Sequence, residues 1–371
     1  MIDLLKQLIR ADSTLPSGER AAAEVLAAFF RRHGVETALD VWAGHRANVT
    51  ARVRSSCRRP AMLFGAHLDV VPAGEGVWQS PPFDAVERDG RIYGRGAADM
   101  KGGLAAAAAA VVETVAAQTP LEGDLIFAAT AGEETDSCGI LRFVERNMGT
   151  LPPLAGVVIC EPTNFSIVTA HRGMLWLKLT THGRTAHSSM PHLGVNAVLK
   201  MHRLIERIQT LSLSHTPDPL LGSPSMSINQ IHGGKANNVV PDECSINIDI
   251  RTVPGQDHGA VIREFQALID ALRGEDDEFR ADVVTIRGVE PMRTDATCAF
   301  VREVCRATGI GDTVAVGYTT DGPYFGRLGA PVAVFGPGRS DVCHKPDEYI
   351  DIADIEKGSH LFRSIIRAFL A

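Results

Sequence analysis

The strongest constraint on this chain is a change in strand character partway along it. Early strands are continuous apolar runs that stop at polar residues. Residues 61–71 contain Met62-Leu63-Phe64-Gly65-Ala66-His67-Leu68-Asp69-Val70-Val71. Residues 124–134 contain Leu125-Ile126-Phe127-Ala128-Ala129-Thr130-Ala131-Gly132-Glu133-Glu134, and residues 154–162 end in Cys160-Glu161-Pro162. Helical stretches separate these runs: an alanine-rich one at 104–112 and another at 137–147. Strands buried on both faces and alternating with helices predict a mainly parallel α/β sheet. After residue 173 the pattern changes. Leu175, Leu177 and Leu179 alternate with Trp176, Lys178 and Thr180, and Ile246, Ile248 and Ile250 with Asn247, Asp249 and Arg251. Period two means a sheet with one wet face, usually antiparallel. Helical stretches near 195–208 and 260–272 can cover its other face. From about residue 288 the first pattern returns, with a helix at 296–307, a buried strand at 330–335 and a final helix at 355–371. The expected layout is an α/β domain (1–173 and 288–371) interrupted by a smaller α+β domain (174–287).

Composition narrows the function classes. With 45% hydrophobic and 22% charged residues among 371, the chain is globular rather than disordered. A net charge of −7 gives no general attraction for nucleic acid or anionic lipid. The apolar run at 104–112 falls short of the roughly 20 residues of a membrane span. The first ten residues read as an amphipathic helix with Leu4, Leu5, Leu8 and Ile9 on one face, not as a secretory signal. Seven scattered cysteines with no C-x-x-C pair argue against a disulfide framework or a thiolate zinc site. All of this leads to the expectation of a cytoplasmic protein.

In open α/β sheets, ligands bind beyond the carboxyl ends of the strands. Four polar clusters fall there. In His67-Leu68-Asp69 the first and third side chains share one side of an extended segment. That suits a metal-bound histidine held by a carboxylate, or a turn histidine beside a solvated aspartate. Asp99 precedes the alanine-rich helix and either caps it or offers its two oxygens to two metals. The surrounding Gly94-Arg95-Gly96-Ala97-Ala98-Asp99-Met100-Lys101-Gly102-Gly103 lacks the phosphate-loop sequence. Glu133 and Glu134 close an apolar strand, where two carboxylates are costly unless paired, solvated or metal-bound. One can bind metal while the other shuttles protons; alternatively both sit at a helix entry, favoured by the helix dipole. Glu161 closes a third strand. His344, in Cys343-His344-Lys345-Pro346-Asp347-Glu348-Tyr349, is a distant fifth candidate. Two histidines and three carboxylates with no thiolate suit two ions of zinc, cobalt or manganese.

This constellation resembles the di-zinc amidohydrolase and peptidase family that includes acetylornithine deacetylase, succinyl-diaminopimelate desuccinylase, aminoacylase and the glutamate carboxypeptidases. The resemblance runs from about residue 65 to 350. It implies that His67 and Glu161 bind one metal, that Glu134 and His344 bind the other, and that Asp99 bridges them. It also implies that Asp69 orients His67 and that Glu133 is the general acid/base. The insert would serve for dimerisation. There Gly183-Arg184-Thr185-Ala186-His187-Ser188-Ser189 resembles the segment whose histidine reaches the partner subunit's active site. Asn238 and Arg251 resemble substrate-binding positions, Arg251 clamping a carboxylate or else pairing with Asp249 or Asp242. Gly336, in Gly336-Pro337-Gly338, would let the backbone approach substrate, and the Thr320-Asp321 turn is another candidate contact.

The expected activity is metal-dependent hydrolysis of the amide of a small N-acyl amino acid, with the acetylornithine deacetylase pattern the nearest within the family. The Thr319-Thr320-Asp321-Gly322 turn keeps the desuccinylase open, and a carboxypeptidase or dipeptidase is the third enzyme reading. A non-catalytic metal- or peptide-binding relative would be expected to lack Glu133, which is present. A nucleotide-binding module on residues 94–103 would need the missing phosphate-loop sequence.

Overall fold

A computed structural model describes all 371 residues. The chain divides into two compact units, Met1–Thr169 with Arg293–Val314 and Thr320–Ala371, and Ala170–Met292 with Ala315–Thr319.

The first unit is built on a sheet whose centre is parallel. Strand Ala61–His67 lies between Leu125–Thr130 and Leu154–Ile159, and Val332–Val334 pairs beyond the latter, all parallel. Strands Arg46–Val53 and Glu36–Trp42 extend one edge antiparallel. The central strands are buried along their whole length, as their unbroken apolar runs require. Helix Gly103–Ala116 explains the alanine run. It is buried without interruption from Gly103 to Val112, and small side chains let a helix covered on every side pack closely. A side chain at Gly103 would collide with the Cys160 carbonyl, so glycine is what lets this helix start against a strand end. The amino-terminal helix Ile2–Arg10 buries Leu4, Leu5, Leu8 and Ile9, the face read from periodicity. Helix Ile352–Leu370 closes the layer, burying Phe362, Ile365 and Ile366.

A small sheet matters for the site. Strand Arg91–Tyr93 pairs with Val86–Arg88 on one side and Tyr349–Asp351 on the other. It holds two segments about 250 residues apart in sequence side by side.

The second unit contains a four-stranded antiparallel sheet in the order Ser225–Gly233, Glu243–Arg251, Met174–His182, Arg280–Val289. Its alternation has the expected cause. Leu175, Leu177 and Leu179 sit opposite Ile250, Ile248 and Ile246. These six residues bury against Met201, Leu204 and Ile208 of helix Ala197–Gln209 and against Val261, Phe265 and Ile269 of helix His258–Glu275. No helix in either unit is long and apolar enough to cross a membrane.

Candidate active site

Register brings the polar strand ends together. Gly65 pairs with Ile159 and His67 with Thr130. Two residues beyond Gly65 is His67, and two beyond Ile159 is Glu161, so both reach the same level of the sheet. One turn past Thr130 come Glu133 and Glu134. His67 Nε2 lies 3.2 Å from Asp99 Oδ1 and 3.6 Å from Glu161 Oε1. His344 Nε2 lies 3.2 Å from the other oxygen, Asp99 Oδ2, and 2.9 Å from Glu134 Oε1. Asp99 therefore faces both histidines, one with each oxygen. Helix Gly103–Ala116 has Gly102 at its N-cap and no side-chain cap bond, so Asp99, whose oxygens face the histidines, does not serve as a plain helix cap.

The donor set fits two divalent cations. His67, Asp99 and Glu161 form one group, and Asp99, Glu134 and His344 another, with the ligand atoms of each group within 4.8 Å of one another. His67 donates Nδ1–H to the Asp69 carbonyl at 3.0 Å, which leaves Nε2 to face the carboxylates, as the atom a metal ion would take in place of its proton. A main-chain carbonyl fixing the tautomer is the usual support of a metal-binding imidazole. Negative charge is in surplus. Burial and then neighbouring anions push the Glu133 and Glu161 carboxyls well above the usual range. Burial and Asp99 raise Glu134. Asp99 is also penalised by burial, but hydrogen bonds from His344 and His67 prevail and hold its carboxyl low. His344, hydrogen-bonded by Asp99 and Glu134, is pushed up to about 10. Carboxylates packed this closely need positive charge that two imidazoles cannot supply.

Asp69 differs in detail from the sequence reading. Its carboxylate is 3.7 Å from His67 Nδ1; the imidazole is held by its main-chain oxygen instead. The carboxylate accepts N–H groups from Gly132 at 2.8 Å, Glu133 at 3.1 Å and Glu134 at 2.9 Å. It organises the turn that carries both glutamates. Gly336 differs too. A side chain there would lie 2.7 Å from the Glu161 carbonyl and 2.9 Å from that of Cys160. The close approach is to the Glu161 strand end, which Gly336 N–H reinforces by donating to Thr163 Oγ1.

His187, Asn238 and Arg251 belong to the second unit. His187 is exposed, its Nδ1 2.7 Å from Ser189 Oγ, and Ser188 N–H donates to the Asn238 carbonyl. Arg251 forms a two-point pair with Asp249, Nε–Oδ1 and Nη2–Oδ2 both 3.0 Å.

Two buried pairs behind the site carry no expectation from the sequence. Arg46 binds Glu19 at 2.8 Å and Asp136 at 3.1 Å, bracing the Gly132–Asp136 turn from behind. Arg95 binds Glu348 at 2.6 Å. The one available sign is a charged residue set between glycines, as Arg95 is. Asp321 is also beside the site: Thr130 Oγ1 donates to it at 3.3 Å, and its charge helps raise Glu133 and Glu161.

A parallel sheet whose strand ends bring His67, Glu134 and Glu161 together with His344 about the shared Asp99 is the framework of a metal-dependent hydrolase. The match to known proteins is specific: residues 63–368 fit the model of peptidase family M20/M25/M40, and the chain belongs to that family. Among its relatives, the acetylornithine deacetylase of Pectobacterium atrosepticum is 31% identical over 369 residues, covering 96% of this chain and 93% of the relative. A probable succinyl-diaminopimelate desuccinylase of Staphylococcus epidermidis is 29% identical over 359 residues, covering 88% and 87%. The fold is shared with an M20 family metallo-carboxypeptidase from Sulfolobus solfataricus at TM-score 0.82 and 19% identity, covering 99% of this chain and 98% of that one.

Proposed function

We infer that this enzyme hydrolyses the amide of a small N-acyl amino acid with two zinc ions, and that N-acetylornithine is its substrate. The observation carrying this reading is the pair of ligand groups joined at Asp99, with Glu133 beside them. His67 and Glu161 would hold one ion, Glu134 and His344 the other, with Asp99 facing both groups. When bound, the ions polarise the scissile carbonyl and make water more acidic. Glu133 accepts a proton from the attacking water as its oxygen joins the carbonyl carbon. It then delivers that proton to the amine nitrogen as the C–N bond breaks. Its position against burial and neighbouring anions suits a group that must hold a proton between these steps.

In this reading His187 hydrogen-bonds the developing oxyanion from a partner subunit, Asn238 contacts substrate, and Arg251 gives up its pairing with Asp249 to clamp the substrate carboxylate. A homodimer through the second unit is supported by that unit's surface. The edge strand Ser225–Gly233 is exposed from Asn229 onward and carries the exposed Ile231, and the same unit exposes Leu193 and Leu199. Dimerisation would cover them. Seven free thiols support a reducing, cytoplasmic setting.

The test is free-amine release, with added zinc, from N-acetylornithine, N-succinyl-diaminopimelate, other N-acetyl amino acids and dipeptides, with Glu133→Gln as control. The expected result is preference for N-acetylornithine, abolished by chelator and by Glu133→Gln while bound metal is retained. Preference for the succinylated substrate would transfer the assignment to the desuccinylase. Turnover unaffected by chelator would overturn the metal reading.

A further inference from the structure

We propose that the buried pair Arg95–Glu348 is a positioning device that sets three metal-ligand segments in register, and that the Asp99–Glu134–His344 group depends on it most. The proposal rests on the two-metal reading above. Both side chains are about 1% exposed. Glu348 uses each oxygen differently. Oε1 accepts the N–H groups of Ala98 at 2.9 Å and Asp99 at 3.1 Å, and Oε2 takes Arg95 Nη1 at 2.6 Å. The backbone of the shared aspartate is therefore fixed by this carboxylate. Arg95 gives three further donors to main chain: the Lys345 carbonyl at 3.2 Å, Pro72 at 3.3 Å and Ala73 at 3.3 Å. Lys345 follows His344, and Pro72 and Ala73 follow the His67–Asp69 strand end. One guanidinium thus ties the segments of His67 and His344, and through Glu348 it ties Asp99. The planar five-donor fork of arginine is what permits this, and a lysine could not copy it.

The two groups do not need this support equally. His67 ends a core strand paired on both sides, and Glu161 follows another. His344 has no such anchor. It is half exposed, sits in left-handed backbone (φ +63°) and follows no strand of the central sheet. Its segment is located by Arg95 at Lys345, by the Gly94 N–H on the Glu348 carbonyl at 2.9 Å, and by the strand Tyr349–Asp351. Loss of the pair should release His344 and loosen Asp99, so the Asp99–Glu134–His344 group loses its hold on two of three donors while the His67–Asp99–Glu161 group keeps His67 and Glu161. A purely structural ion pair would instead change stability, because removing one partner leaves a buried charge uncompensated, without favouring either metal group.

The experiment is calorimetric titration of the metal-free full chain with zinc. Glu348→Ala is compared with Glu348→Gln, which keeps an acceptor for Ala98 and Asp99, and with Arg95→Lys. The wild-type chain should bind two ions. Glu348→Ala should weaken the second by about 10- to 100-fold, the range for groups that support metal ligands. The first, which has only Asp99 among the displaced donors, should weaken less than the second, and Glu348→Gln should recover part of the loss. If Glu348→Ala does not fold, Glu348→Gln and Arg95→Lys carry the test, each expected to weaken the second ion selectively. Two ions with unchanged affinities in folded variants, or equal weakening of both, would overturn the positioning role. Fewer than two ions on the wild-type chain would instead overturn the two-metal reading on which it stands.

Discussion

Replacing Asp69 by asparagine separates two roles for this residue. The carboxylate is 2% exposed and accepts three main-chain N–H groups from Gly132, Glu133 and Glu134. Asparagine has one acceptor oxygen. If it keeps Gly132 and Glu133, its amide group faces the Glu134 N–H, donor against donor. An unmatched buried N–H costs about 1–3 kcal/mol. The two surviving bonds fall from charge-assisted to neutral, a loss of about 1 kcal/mol each. Removing one anion from a crowded acidic site returns about 1 kcal/mol; Asp69 already raises the carboxyl of Glu19. The net expectation is about 2–4 kcal/mol of lost stability, read as a lower urea midpoint at constant m in the metal-free protein. Because His67 Nδ1 bonds to the Asp69 main chain, the His67–Asp99–Glu161 group should keep zinc while the Glu134 group weakens. An unchanged midpoint with unchanged zinc binding would refute the turn-organising argument. Selective loss at the His67 group would show that the carboxylate acts on the imidazole after all.

Zinc binding should release a proton from His344, held at about 10 by Asp99 and Glu134. Below that value the imidazole is protonated in the metal-free chain, so apparent affinity should rise about tenfold per pH unit for each displaced proton; calorimetry in buffers of different ionisation enthalpy reads this, and a flat profile would remove His344 from the ligands. His187→Ala should lower kcat by about 10²–10³-fold, the usual cost of an oxyanion donor, with metal content unchanged. Mixing His187→Ala with Glu133→Gln subunits should restore part of the activity, and no recovery despite demonstrated subunit exchange would exclude a shared site.

What the sequence determined by itself is local and periodic. Unbroken apolar runs ending in His67, Glu134 and Glu161 announced parallel strands with ligands at their carboxyl ends, because a strand covered on both faces has no polar positions until it leaves the sheet. Alternation at Leu175–Leu179 and Ile246–Ile250 announced the one-sided sheet for the same reason in reverse. His344 and Asp99 were candidate metal donors by residue type, and only the family pattern, not spacing, assigned them that role. Tertiary structure decided everything that depends on which atom meets which. Main-chain oxygen and carboxylate of Asp69 are one letter in the sequence, yet they hold different partners. Gly336 lacks a side chain because of the Glu161 strand end, a contact 175 residues away in the chain. Arg95 and Glu348 become one device only when the strands Arg91–Tyr93 and Tyr349–Asp351 pair. Contacts of that kind carry no periodicity: each is a single hydrogen-bonding geometry between distant segments, and only the packed chain brings its two halves within reach.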